Sequence, residues 1–75
     1  MASRARTLVI CVRNEGHATS LELRKLYVAI PDARAAERHL LRVIDESGED
    51  YLYPEEFFVV ADLPQTVRRR VMLAA

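Results

Sequence analysis

The stretch Arg42-Val-Ile-Asp-Glu-Ser-Gly-Glu-Asp-Tyr-Leu-Tyr-Pro54 constrains the fold more than any other part of the chain. Two arms flank Ser47-Gly48: His39 to Glu46, with Leu41 and Val43 two apart, and Glu49 to Pro54, with Leu52 between Tyr51 and Tyr53. Alternating strand residues on either side of a glycine-containing turn read as a β-hairpin. Gly48 supplies the left-handed backbone that a type I turn with a bulge, or a primed turn, requires. The reading of the whole chain rests on this reversal, whose arms pair and curl into a small closed barrel.

The remaining segments extend that sheet. Thr7 to Arg13 is short and β-branched, with Leu8, Ile10 and Val12 on one side of the pleat and Val9 and Cys11 on the other. Leu21 to Ile30 mixes helical spacing with alternation, and its β-branched end before Pro31 favours a strand from about Arg24 to Ile30. Asp32 is an N-cap for a short helical turn over 33–38. Pro54 interrupts pairing, Glu55-Glu56 forms a single turn, and Phe57 to Ala61 resumes as a strand apolar on both faces. Pro64 opens a last helix over 64–73, with Val67 and Val71 on one stripe that docks on the barrel or on a partner. The fold class is therefore mainly β, about five short antiparallel strands with two short helices, in a single domain over 1–75.

Size limits function. Ordering 75 residues costs on the order of 110 kcal/mol in conformational entropy, so nearly every apolar side chain is needed in the core. That favours a surface binder over an enzyme with a buried site. The single cysteine, Cys11, forms no internal disulfide, which fits a reducing compartment such as the cytoplasm. Leu8 to Val12 is too short for a signal-peptide core, and no segment approaches the roughly 20 apolar residues of a membrane helix. The net charge of zero divides into +3 over 1–30, −5 over 31–56 and +2 over 57–75, unlike the uniformly basic surface of a nucleic-acid binder.

Several residues carry candidate chemistry. Asp45, Glu46, Glu49 and Asp50 offer hard oxygen ligands but lack calcium-loop spacing, and a two-residue turn makes them a solvated tip. Cys11 with His17 or His39 has no diagnostic nucleophile or metal spacing and reads as a packed core thiol. No cofactor or metal is expected. Arg68-Arg69-Arg70 suits phosphate contact or the dipole of the last helix. Tyr27, Tyr51 and Tyr53 fall on one outer surface if their strands pair, and with Pro54 they compose the preferred binding patch.

The segment "GEDYLYPEEFFVV" resembles the close of Src-homology-3-type barrels, in which a strand, a proline, one turn and a final strand follow a tight hairpin. "CVRNEG", "SLELRKLYVAIPD" and "RVIDESGEDYLYP" together resemble a group of small uncharacterised bacterial proteins, over roughly residues 10 to 63. These likenesses imply a Src-homology-3-like barrel and no particular activity. The chain lacks the tryptophan and the ALYDY-type segment of proline-motif binders. The expected function is a non-enzymatic adaptor that binds another protein through Tyr27, Tyr51, Tyr53 and Pro54, with homo-oligomer formation left open. The alternative is a nucleic-acid-binding barrel using Arg4, Arg6 and Arg68 to Arg70.

Overall fold

Five strands form one antiparallel sheet in the computed structural model, which describes residues 6–74. They are β1 (Thr7–Cys11), β2 (Leu26–Ile30), β3 (Leu40–Ile44), β4 (Asp50–Pro54) and β5 (Phe58–Val60), in the order β4-β3-β2-β1-β5. Helix α1 (Ala33–Glu37) joins β2 to β3, a 3₁₀ turn (Glu55–Phe57) joins β4 to β5, and α2 (Gln65–Leu73) ends the described chain. Each strand lies within its expected span, trimmed by up to two residues at either end.

The hairpin resolves to the first of its two expected forms. Asp45 N–H donates to the Glu49 carbonyl and Gly48 N–H to the Asp45 carbonyl, both at 3.0 Å, leaving a three-residue loop with Gly48 at φ +85°. That is a type I turn closed by a left-handed glycine.

Register decides which residues share a face. Val9 pairs with Tyr27 and Val60, Cys11 with Phe58, Ala29 with Val43, Val43 with Tyr51, and Leu41 with Tyr53. These residues all point to the concave side, where Val9, Cys11, Leu21, Tyr27, Ala29, Val43, Tyr53, Phe57 and Phe58 form the core and Leu41 packs against them. Leu21 belongs to the segment between β1 and β2, which has no regular structure, yet it is fully buried, and Asn14 Nδ2 donates to its carbonyl at 2.9 Å. Leu8, at 1% exposure, is covered on the opposite, convex side. There α2 lies across a cavity of about 530 Å³ lined by Leu8, Leu26, Val28, Ile44, Val71 and Met72, and Arg68 donates to the Arg6 carbonyl. No residue of α2 is itself buried, and Pro64 caps the helix instead of occupying its first turn.

The sheet curls into a half-barrel, which corrects the closed barrel expected from the sequence. β4 and β5 stand at the two ends of the strand order and do not pair. The ladder alternation explains the asymmetry of these margins. Flanking bonds from Glu55 N–H to His39 and from Asp45 N–H to Glu49 fix Tyr51 and Tyr53 as the β4 residues bonded to β3, so Asp50, Leu52 and Pro54 face outward. A charge and a residue without N–H guard that edge. Bonds from Val12 N–H to Phe57 and from Ala61 N–H to Leu8 place the Val60 N–H and C=O outward on β5, where Val60 is 70% exposed.

Asp32 caps α1 as expected, its Oδ1 accepting from Ala35 N–H at 3.0 Å. The helix stops at His39, which takes the left-handed conformation (φ 60°) and donates its N–H to the Ala36 carbonyl. A side chain there costs about 1–2 kcal/mol, and its contact to Glu55 is exposed. His39→Gly is expected to stabilise the fold by about 0.5 kcal/mol once the extra unfolded-state freedom of glycine is subtracted, read by urea denaturation.

Candidate functional site

A polar seam joins the segment between β1 and β2 to the end of β3, and it places the sequence-predicted tyrosines. Tyr27 and Tyr53 do share a face with Tyr51, but it is the concave face rather than the expected outer one. Tyr27 is 6% and Tyr53 3% exposed, whereas Tyr51 is 52% exposed. The reason is register: residues opposite Val9, Val43 and Leu41 point inward, and only Tyr51, nearest the hairpin, reaches the rim. Pro54 is half-buried on the β4 edge, opposite Leu40. The four therefore do not make one outer patch.

Each buried hydroxyl meets one of two successive carboxylates. Tyr53 donates to Asp45 Oδ2 at 2.5 Å and lies 3.0 Å from Ser20 Oγ. Tyr27 donates to Glu46 Oε2 at 2.6 Å and accepts from Glu22 N–H at 2.7 Å. Burial first, then the neighbouring carboxylate, pushes both phenols above their ordinary pKa, so they remain donors. The acidic knot is consequently not a uniformly solvated tip. Asp45 is 6% exposed, Glu46 pairs with Lys25 at 2.5 Å, and Asp50 pairs with Arg42 at 2.8 Å. For Asp45, burial acts to raise the pKa, but the bonds from Ser47 and Tyr53 outweigh it and hold the carboxyl below its ordinary value. No group of three His, Cys, Asp or Glu side chains suited to a metal occurs among the described residues.

Beside this seam lies a pocket of about 400 Å³ lined by His17, Ser20, Asp45, Ser47 and the β4 run Tyr51 to Tyr53. His17 stands edge-on to the Tyr53 ring, with centroids 5.0 Å apart at 90°. His17 is exposed, and its aromatic contacts to Tyr53 and Phe57 leave no trace in the sequence spacing. A second, apolar cleft of about 410 Å³ opens between β5 and α1, with Val59, Val60, Ile30, Pro31 and Leu40 among its walls.

The other candidates are placed as follows. Cys11 is fully buried, and burial pushes its thiol pKa up while Sγ donates to the Arg13 carbonyl. His39 lies beside Glu55, at 3.2 Å, and has no contact with Cys11. Arg4 lies outside the described residues. Arg68 is engaged with Arg6, and Arg69 and Arg70 are exposed. No helix among the described residues is long and apolar enough to cross a membrane. Comparison of the chain with protein-family models, with curated proteins and with solved structures found no match.

Proposed function

We propose that this protein is a non-enzymatic protein-interaction module built on a small Src-homology-3-like half-barrel, and that the pocket walled by Tyr51, Tyr53 and His17 receives a partner's side chain. The strand order, with a proline and a 3₁₀ turn leading into the last strand, supports the barrel class. The observation that carries the functional reading is Tyr51. It stands half out of the sheet at the mouth of a concave, aromatic-walled pocket, beside the 43%-exposed Leu52. Binding hot spots are enriched in Trp, Tyr and Arg packed into pockets. The protonated, buried thiol of Cys11 favours binding over covalent catalysis.

Panning a random peptide display library against the folded protein tests this. Enriched peptides are expected to bind Tyr51→Ala about tenfold more weakly, the loss typical of one hot-spot aromatic, with the circular dichroism spectrum unchanged. Failure to enrich any sequence, or equal binding by the variant, would count against the reading. The nucleic-acid alternative has less support, because Arg68 is engaged internally and the pocket region carries the acidic segment.

A further inference from the structure

Asp45 is the most deeply buried carboxylate of the seam, and it has no cationic partner among the described residues. Asp32 and Asp50 share Arg42, and Glu46 has Lys25, although all three are more exposed than Asp45. A buried carboxylate is costly unless it is compensated. Here only neutral donors hold it: Tyr53 Oη at 2.5 Å, Ser47 Oγ at 2.5 Å and Ser47 N–H at 2.9 Å. A carboxylate has about four acceptor positions, more than the three bonds named here, and Asp45 lines the pocket.

The surroundings select one sign of ligand. Phenol ring faces attract cations and repel anions, and Tyr51 and Tyr53 both line the cavity, with His17 packed at 90° against the Tyr53 ring. Ser20 and Ser47 add hydroxyl oxygens that accept N–H bonds. The pocket, about 400 Å³, has room for a side-chain head group and lies toward the small end of the range of ligand pockets. An excess of acidic residues over 31–56 draws cations toward this end of the molecule.

We infer that the pocket is a cation site for a lysine ammonium or arginine guanidinium of a partner protein, with Asp45 as the counter-ion and His17, Tyr51 and Tyr53 as its walls. The inference rests on the protein-interaction reading of the same pocket and names the chemistry that the partner presents.

The test is a titration of the ¹⁵N-labelled protein with N-acetyl-arginine methylamide and N-acetyl-lysine methylamide, against the uncharged citrulline and norleucine amides. A basic amide is expected to shift the Ser20, Ser47 and Tyr51 amide resonances saturably, while the uncharged pair leaves them in place. Asp45→Asn alone is a poor probe because Asp45 also supports the fold, so Tyr51→Ala, at an exposed position, serves as the second variant and is expected to weaken binding of the basic amides about fivefold. Equal shifts with the uncharged amides, shifts confined to other regions, or no saturable shift would overturn the inference. So would library peptides that bind through Tyr51 yet carry no Lys or Arg, an outcome that leaves the interaction reading intact. Saturable binding of the basic amides with no peptide enriched would instead keep the cation site and overturn the protein partner.

Discussion

Leu21→Ala is expected to cost about 2–5 kcal/mol, the usual range for truncating a buried leucine that cannot be replaced by collapse of its surroundings. In a domain of this size that lowers Tm by roughly 10 °C or more. Leu21 has 0% exposure and contributes to the same core as Cys11, Tyr27 and Phe57. Its segment has no strand or helix, and its packing holds that segment down together with the Asn14 bond to its carbonyl. Leu23→Ala, two residues on at 48% exposure, is the control and should change stability by no more than about 0.5 kcal/mol. Urea denaturation of both variants distinguishes the cases. A loss below 1 kcal/mol at Leu21 would mean that the segment does not close the core.

The second large effect is expected at Asp45. Asp45→Asn removes a charged acceptor from Tyr53 and from both donors of Ser47, and leaves an amide N–H₂ where a phenol hydroxyl points. Charge-assisted bonds of this kind contribute about 1.5–3 kcal/mol, so a loss of about 2 kcal/mol follows. Tyr53→Phe removes the shared bond from the other side, and the double variant should lose less than the two singles added together. The pH profile carries the same signature. The folded carboxyl titrates below its unfolded value, so its stabilisation is complete above about pH 4 and is lost as the pH falls through the folded value. Acid unfolding of Asp45→Asn should therefore be flatter than that of the wild type below pH 4. Equal steepness would show that Asp45 is not the group that titrates.

The sequence made the strands legible because β-branched runs, Gly48 and the prolines act within a few residues of themselves. Gly48 needs positive φ whatever surrounds it, and Asp32 caps its helix through its own backbone neighbours. The two-residue period also said which side chains travel together: Tyr51 with Tyr53, and Tyr27 with Ala29. It did not say which set goes inside. Leu26, Val28 and Ile30 alternate with Tyr27 and Ala29 in β2, and Leu52 with Tyr51 and Tyr53 in β4, and it is the tyrosine faces that turn to the core. A buried tyrosine needs a partner for its hydroxyl, and the acceptors at Asp45 and Glu46 sit 8 and 19 residues away. Nothing local to Tyr27 announces Glu46. The candidate pocket was thus half legible, through Tyr51 and Tyr53, while His17, Ser20 and the unpaired charge of Asp45 emerged only from contacts between segments distant in the chain.

The two margins of the sheet differ in kind, and the difference limits how copies can gather. A ribbon of molecules joined strand to strand requires each unit to offer a receptive border on both flanks. Here Asp50 and Pro54 spoil one border, and Val60 leaves the other receptive. Two molecules joined along that border would present only the guarded border outward, an arrangement that opposes lengthening into a fibre.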